Sequence, residues 1–532
     1  MQKHLRALVW VPLLALASAY TVHADVQLPR VIGNNMVLQR DKPLPIWGWD
    51  EIGQEVTVAL GEASATATAG KNGKWLVRLP AQKAGGPYPL SIRGSSVVEL
   101  KNVLIGEVWI VSGQSNMEAL VHQVGDPPLG PRAEIPGADL PGIRHLWIPH
   151  VMAARPLGNE GAVAGRNEVG REVVITPRPP DRAANLNDAG SGWQVSGPEA
   201  ASRFTAVGYH FARKLHGELN VPVGLVTATW GGSPVEPWIA PDAMAQVKDQ
   251  PMGPLTQRPH FRSSVTYNAM IHPLLPYAIR GAIWYQGESN GFEGESYLRK
   301  KRALIEGWRK AWNQGDFPFY FVQLPGYQSP TDDPQGGDGW ARVREAQGKV
   351  AATVKNSGMA ITIDIGEAND IHPMNKIDVG RRLALWALAR DYGRKSLVHS
   401  GPLFKSMKAA GQTIELSFDH VGGGLMAARK PGPRSPEMPK PVDKLDGFAI
   451  AGADQKWHWA RAIIEDDKVL VSSPEVAKPV AVRYAFSGNP VRANLYNREG
   501  LPAAPFRTDT WKFLRYRDHT MGEIVDEPGS RP

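Results

Sequence analysis

The stretch Val108-Trp109-Ile110-Val111-Ser112-Gly113-Gln114-Ser115-Asn116-Met117 decides how this chain folds. Its apolar first half is typical of a strand buried on both faces of a parallel sheet. Gly and Ser then end the strand in a polar turn, and the residues that follow can begin a helix. Such a strand-to-helix junction lies at the carboxyl edge of an open α/β sheet, where these folds bind ligands.

Four more apolar runs follow, and they alternate with amphipathic segments, at residues 224–229, 281–285, 318–324 and 359–365. This alternation predicts an α/β domain with a parallel sheet over residues 107–398. Aromatic residues that recur at helical spacing around Trp308 and Trp386 are expected in its core. Residues 125–198 are rich in Gly, Pro, Asn and Asp, and we expect a long loop insertion there, near the site or on the far surface.

Short alternating runs broken by Gly and Pro flank the α/β region. They predict an N-terminal β-sandwich over residues 25–106 and a C-terminal β-rich domain over residues 399–532, the second divided by a Pro-rich stretch at 431–441. The pattern fits accessory β-sandwich or jelly-roll domains. Alternation does not decide whether the two β-regions stand apart or form one composite module.

Composition limits the classes of function. The 532 residues include no cysteine, so disulfides are excluded, and the length predicts about three domains. Lys plus Arg number 60 against 52 acidic residues, but the basic residues are scattered, which argues against nucleic-acid binding. No His-Glu-x-x-His or comparable spacing occurs, so we expect no metal. Seventeen tryptophans offer surfaces on which sugars could stack.

Residues 1–24 have the layout of a cleaved secretory signal. Lys3 and Arg6 precede an apolar run at 7–17, and small residues follow at 22–24. That run is much shorter than the roughly 20 residues that cross a bilayer, although a retained anchor is the alternative. A secreted chain without cysteine suits a bacterial periplasm or exterior.

Ser115 is the candidate nucleophile. The junction would lift its hydroxyl above the sheet edge, and the amides of the helix start would meet negative charge on a carbonyl oxygen. The alternative for Ser115 is a plain helix cap. A serine nucleophile needs a base, and His372 is the candidate, since it follows the run at 359–365. Asp370 could orient the imidazole or act only as a turn carboxylate.

Two further polar turns end predicted strands, Trp230-Gly231-Gly232-Ser233 and Gln286-Gly287-Glu288-Ser289-Asn290. Glycine permits close backbone approach and an amide side chain supplies an N–H, so both turns could join the Ser115 amide in an oxyanion hole. Each turn alone is weak evidence, because any α/β protein needs glycine after its strands. Four polar turns at strand ends together favour a serine hydrolase.

The four motifs, in this order, resemble the sialate O-acetylesterase group of the SGNH hydrolases. The resemblance extends to Asn35-Met36-Val37-Leu38-Gln39-Arg40, Val482-Arg483-Tyr484 and Gly500-Leu501-Pro502, so it covers nearly the whole mature chain. It implies a three-layer αβα esterase that removes O-acetyl groups from sugars without metal or cofactor. Ser115 would be the nucleophile, His372 the base and Asp370 its orienting group. The Ser115 amide, Gly231 and a side chain of the third motif would hold the oxyanion.

Two positions depart from the wider superfamily pattern. An Asp is usual three residues before the histidine, where this chain has Asn369, so Asp364, Glu288 or a backbone carbonyl could replace Asp370. The third motif usually reads Gly-x-Asn-Asp. We predict that the side chain of Gln286 supplies the oxyanion donor of this motif, and Asn290 is the second candidate for that role. Glu288, Asn290 and Trp230 are also candidates for substrate contacts.

The substrate is expected to be an acetylated oligosaccharide or polysaccharide. Sialic acid would need an arginine for its carboxylate, and the sequence does not place Arg178, Arg182 or Arg203. Plant cell-wall polymers such as xyloglucan, xylan or pectin fit equally well. Two other functions compete with this one: a carbohydrate-binding protein without catalytic activity, and a lipase or thioesterase. Against the second, Trp230, Trp238 and Trp284 mildly favour a flat sugar over an acyl chain. The sequence does not indicate the oligomeric state.

Overall fold

The computed structural model describes residues 25–124, 137–157, 192–247 and 259–512, with short strands at 173–174, 516–517 and 524–525. The predicted secretory signal at 1–24 lies outside these residues. The α/β fold class with a parallel sheet is confirmed. Within the described ranges, no helix combines the length and apolarity that crossing a membrane requires.

A small β-module begins the described chain. Its strands are β1 (Val37–Gln39), β2 (Leu44–Trp49), β3 (Glu55–Leu60), β4 (Ala63–Thr68), β5 (Lys74–Leu79) and β6 (Gly85–Arg93). Strand β7 (Val97–Gly113) starts here, antiparallel to β6 and parallel to β1, and continues into the central sheet. The predicted domain boundary at residue 106 thus falls inside one continuous strand.

Strand β7 lies at the centre of the sheet that carries the polar turns. The other strands of this part of the chain are β8 (Ile143–Trp147), β9 (Met152–Ala153), β10 (Val173–Val174), β11 (Gln194–Val195), β12 (Val223–Thr229), β13 (Gly281–Tyr285), β14 (Phe319–Val322) and β15 (Ser357–Ala360). The order is β11-β8-β12-β7-β13-β14-β15, and β9 pairs separately with β10. All neighbours in the central sheet are parallel except β11, which is antiparallel to β8.

Strand β8 corrects part of the prediction for residues 125–198. We expected a loop excursion throughout, but Ile143–Trp147 is a parallel strand of the central sheet and pairs with β12. Only five residues long and surrounded by Gly and Pro, it gives a weak periodic signal. The sheet therefore extends two strands further than the apolar runs predicted, through β8 and the short antiparallel strand β11.

Helices cover both faces of the sheet. They are α1 (Ser115–Glu118), α2 (Pro198–Ala201), α3 (Ala206–Leu219), α4 (Pro241–Met244), α5 (Glu295–Trp312), α6 (Gly339–Thr353) and α7 (Lys376–Arg390), with 3₁₀ turns at Val121–Gln123, Glu236–Trp238, Pro259–Phe261, His272–Leu274 and Glu288–Asn290 and a π-helical turn at Tyr267–Ile271. Alternate β7 side chains face opposite layers: Ile110 shares a core with Trp308 of α5, and Val111 shares another with Leu383 of α7. Trp308 and Trp386 are buried, as predicted.

The C-terminal region is built of antiparallel strands. They are β16 (Leu403–Ala410), β17 (Thr413–Asp419), β18 (Leu425–Arg429), β19 (Lys440–Pro441), β20 (Phe448–Ala451), β21 (Trp457–Trp459), β22 (Arg461–Glu465), β23 (Lys468–Ser472), β24 (Ala481–Tyr484), β25 (Leu495–Asn497) and β26 (Phe506–Arg507), with β27 (Tyr516–Arg517) and β28 (Ile524–Val525) as a separate pair. This region has its own apolar core. It is joined to the α/β part by the buried Arg344 guanidinium, which donates to the carbonyls of Ser487 and Gly488.

A buried ionic cluster fixes β7 where it passes from the first module into the central sheet. The Glu107 carboxylate is fully buried and accepts from Arg40 at 2.5 Å and from Arg280 at 2.9 Å. Gln39 donates to it at 3.1 Å. Burial alone would raise the pKa of Glu107, but its bonds to Arg280, Gln39 and Arg40 hold that pKa below the ordinary value.

Glu107→Gln should lower the free energy of unfolding by about 3 kcal/mol, because two half-buried arginines lose their shared counter-charge. Urea denaturation at pH 7 measures the change. Glu218→Gln, which removes an exposed carboxylate paired with Lys214, is the control and should change little. Equal stability of Glu107→Gln and the wild type would contradict this account of the junction.

Candidate active site

The turn after β7 presents Ser115 at the carboxyl edge of the sheet. Gly113 has φ +140°, and a Cβ there would lie 2.1 Å from the carbonyl oxygen of Tyr285, so only glycine fits. The Gln114 amide donates to that same carbonyl at 3.0 Å. Ser115 is the first residue of α1, whose N-cap is Gln114, so Ser115 is not a cap. Its amide belongs to the first turn, where no intrahelical acceptor exists.

The structure brings Ser115 and His372 together. His372 Nε2 lies 2.8 Å from Ser115 Oγ, although 257 residues separate them in sequence. With its proton on Nδ1, the imidazole accepts from the hydroxyl through Nε2. The His372 side chain is 48% exposed, so a substrate can reach the pair. This is the contact that the sequence motifs predicted.

Asp370 shapes the turn that carries His372. Its Oδ1 accepts from the backbone N–H of His372 at 2.8 Å, and the same oxygen lies 3.6 Å from Nδ1 of the ring, beyond hydrogen-bond distance. The carboxylate therefore acts on the backbone of the turn and lies close to the imidazole.

The two alternative carboxylates are engaged elsewhere. Asp364 is buried in a bidentate pair with Arg382, at 2.6 and 2.8 Å. Glu288 accepts from the side-chain amide of Asn116 at 2.5 Å. Neither of these contacts involves the His372 ring, so the suggestion that Asp364 or Glu288 orients the imidazole is not supported. Asp370 is the carboxylate that the structure places beside it.

Asn116 and Lys376 are residues that the sequence analysis did not single out. Asn116 follows the candidate nucleophile, and its side-chain amide donates to the carbonyl of Ile371 at 2.9 Å. Lys376 begins α7, and its buried ammonium donates to Asn116 Oδ1 at 2.5 Å. The available signal was positional: one residue is adjacent to Ser115 and the other lies four residues after His372.

Burial and nearby charge shift the protonation equilibria here. Burial, helped by the positive charge of Lys376, lowers the pKa of His372 below its ordinary value, and Asp370 opposes the shift. Burial also lowers the pKa of Lys376 to about 7, against the attraction of Glu288. Burial raises the pKa of Glu288 in turn, and the Asn116 hydrogen bond opposes it. An imidazole with a lowered pKa is neutral at pH 7, the state a general base needs.

The predicted oxyanion donors other than Ser115 form other hydrogen bonds. The Gly231 amide donates to Glu118 Oε2 at 2.7 Å. Gln286 is fully buried, and its Nε2 donates to Asn290 Oδ1 at 2.7 Å. Asn290 donates to Glu293 at 2.9 Å. Gln286 and Asn290 therefore belong to the internal hydrogen-bond network that supports the third motif. In these contacts their N–H groups are directed to neighbouring side chains and not to Ser115.

The tryptophans near the site do not offer open sugar platforms. Trp238 and Trp284 are fully buried, so they give no support to the mild preference for a flat sugar over an acyl chain. Trp230 is 8% exposed and lies between the rings of His150 at 4.4 Å and His260 at 5.0 Å, nearly parallel to both. Both indole faces are therefore covered by imidazoles.

Of the three arginines considered for a substrate carboxylate, Arg203 pairs with the exposed Glu199 on α2. Arg178 and Arg182 lie outside the described residues. In the part of the chain that the structure describes, no group of three or more His, Asp or Glu side chains is arranged to hold a metal ion.

The Pro-rich stretch at 431–441 supports the loop that carries His372. Arg434 forms an ion pair with Glu367 at 2.6 Å, five residues before His372. The Asn375 side chain, at the start of α7, donates to the carbonyl of Ser435 at 3.2 Å. The segment that separates two groups of C-terminal strands thus also contacts the site.

Comparison with known proteins identifies the family. A family model described as "Carbohydrate esterase, sialic acid-specific acetylesterase" matches residues 183–388. The human sialate O-acetylesterase is 30% identical over 410 residues, covering 70% of this chain and 72% of that protein. This chain belongs to that carbohydrate esterase family. It is therefore a carboxylic ester hydrolase.

Two other relatives extend the esterase match along the chain. The mouse sialate O-acetylesterase is 27% identical over 546 residues, 89% of this chain and 93% of that protein. The crystal structure of a carbohydrate acetylesterase from Xanthomonas citri shares 37% identity with a TM-score of 0.77, covering 92% of this chain and 100% of the other. The esterase fold class predicted from the sequence, with its accessory β-regions, is confirmed.

Asp370→Asn should move the acidic limb of the esterase pH profile to lower pH. The amide oxygen can still accept from the His372 backbone, but the lost negative charge no longer supports the imidazolium, so the His372 pKa falls further. Initial rates with 4-nitrophenyl acetate between pH 4 and 8 measure the midpoint. A limb that stays in place, or moves to higher pH, would exclude Asp370 as the charge that faces the ring.

Proposed function

We propose that this esterase removes O-acetyl groups from sugars through an acetyl-enzyme intermediate on Ser115. The observation that carries the proposal is the 2.8 Å contact between Ser115 Oγ and His372 Nε2 at the carboxyl edge of the sheet. A serine hydroxyl alone is a weak nucleophile, and an imidazole at this distance can take its proton as the new bond forms.

The reaction proceeds in two halves. Ser115 Oγ attacks the acetyl carbonyl while His372 accepts its proton, and the tetrahedral intermediate collapses when the imidazolium protonates the departing sugar oxygen. Water then attacks the acetyl-Ser115 ester with His372 again as base, and acetate leaves as Ser115 regains its proton. Asp370 holds the turn and favours the imidazolium that forms in each half.

The Ser115 amide, at the start of α1, is the proposed first donor to the oxyanion. Gly231 is the proposed second donor, and its N–H now donates to the carboxylate of Glu118 at 2.7 Å. Substrate binding must therefore displace Glu118 from Gly231 before that amide can serve. Gln286, with its amide bonded to Asn290, would support the third motif without donating directly.

The proposed substrate class is an acetylated oligosaccharide or polysaccharide, either a sialoside or a plant cell-wall polymer such as xyloglucan. Support comes from the half-exposed His372, which leaves the reacting pair accessible to a bulky glycan, and from the substrate named for the relatives. We further propose that the protein acts after secretion, in a bacterial periplasm or outside the cell.

Ser115→Ala should lower kcat for 4-nitrophenyl acetate by about 10⁴-fold or more, because the nucleophile is lost, and His372→Ala should lose a comparable amount. Release of 4-nitrophenol measures both. Ser91→Ala, at a partly exposed position in β6 outside the site, is the matched control and should keep full activity. An active Ser115→Ala protein would end the proposal.

Acetate release from a panel of acetylated glycans should identify the acceptor sugar. The panel contains an O-acetylated sialoside, acetylated xyloglucan, acetylated xylan and acetylated pectin, with the Ser115→Ala protein as blank. We expect acetate from at least one glycan at a rate above that for 4-nitrophenyl acetate. Saturable glycan binding without acetate release would instead favour a carbohydrate-binding protein.

A further inference from the structure

The side chain of Asn116 joins three separate parts of the site. Its Nδ2 donates to the carbonyl of Ile371 at 2.9 Å and to Glu288 Oε1 at 2.5 Å, and its Oδ1 accepts from Lys376 Nζ at 2.5 Å. It is fully buried. Because Asn116 follows Ser115 and Ile371 precedes His372, this one amide holds the two reacting residues in register.

Lys376 fixes the orientation of that amide. Its ammonium is fully buried and can only donate, so it selects the oxygen of Asn116 and turns the NH₂ toward Ile371 and Glu288. The aromatic ring of Tyr285, with its centroid 5.4 Å from Nζ, covers the ammonium on another side. Burying a charged ammonium costs free energy unless hydrogen bonds and opposite charges compensate it. Packing alone therefore does not explain a lysine at this position beside Ser115 and His372.

We propose that Lys376 is a positioning residue for the esterase reaction, which through Asn116 holds the His372 loop against the serine turn and places a positive charge beside the imidazole. This inference rests on the proposed function, because it takes His372 as the base. It goes beyond that function by assigning a role to a lysine that touches neither substrate nor the reacting atoms.

The charges around the site define what removal of Lys376 would do. The groups that influence the imidazole are Asp370 on its own turn and Lys376 at the start of α7, while Ser115 from α1 contacts the ring directly. Lys376 itself faces three carboxylates, Glu288 from the third motif and Asp370 and Glu367 from the His372 loop. Glu367 is already paired with Arg434.

The direction of the effect follows from these charges. Activity needs neutral His372, so it rises with pH as the imidazole loses its proton. In that acidic window Lys376, with a pKa of about 7, is protonated and repels the imidazolium. Loss of Lys376 therefore raises the His372 pKa and moves the acidic limb to higher pH, opposite to the shift expected for Asp370→Asn.

The test compares four variants in the full-length protein with 4-nitrophenyl acetate between pH 4 and 9. Lys376→Met should move the midpoint of the acidic limb up by about one pH unit and lower kcat about 10-fold, with little change in KM. Lys376→Arg retains a cation and should keep the limb near its wild-type position. Asn116→Ala, which cuts the link but keeps the charge, should lower kcat without raising the limb.

Lys430→Met is the matched control. Lys430 is a nearly buried lysine whose Nζ lies 2.7 Å from Oδ2 of Asp378. Asp378 is on α7, the helix that Lys376 begins, but the contacts of Lys430 do not include Asn116. Its loss should lower the thermal unfolding midpoint and leave the pH profile unchanged.

Two results would overturn the inference. The first is a Lys376→Met protein whose acidic limb keeps its wild-type midpoint while its stability falls as in Lys430→Met. The second is a wild-type kcat in Asn116→Ala. If Lys376→Met does not fold, a limb in Lys376→Arg that rises by a full unit would overturn it as well. Failure of the proposed function is a separate result, since it appears as activity in Ser115→Ala whatever the lysine variants do.

Discussion

The rest of the site depends on one hydrogen bond, between the Ser115 hydroxyl and the His372 imidazole. It joins the end of the central strand β7 to the loop that follows the edge strand β15. A parallel sheet makes this possible because all its strands end at the same edge. The Gly113 turn, the Asp370 carboxylate and the Asn116 amide each restrict one side of that contact, so it does not rely on the short helix α1 alone.

Much of this arrangement could be predicted from the sequence. Apolar runs followed by polar turns indicated both the sheet and the edge at which Ser115 and His372 meet. The Trp308 and Trp386 helices were recognised because their apolar residues recur at helical spacing. These features are local, and local periodicity and turn chemistry are what a sequence displays.

What the sequence did not display depends on contacts between distant residues. Strand β8 is too short to show a period, and the partners of Gln286 and Asp364 are chosen by the folded core. Lys376 looks like an ordinary helix residue until the fold buries it against Asn116. The tryptophans were considered as surfaces on which sugars could stack, because a sequence does not show which residues cover an indole ring. In the folded protein, two histidine rings cover the indole of Trp230.

The central claim is that Ser115 is activated by His372 for attack on an ester carbonyl. The most direct measurement is mass spectrometry of the protein after reaction with a fluorophosphonate, which labels serines activated by a neighbouring base. The account predicts one adduct, on the peptide that contains Ser115, and its loss in the His372→Ala variant. An unlabelled protein, or an adduct on another serine, would contradict it.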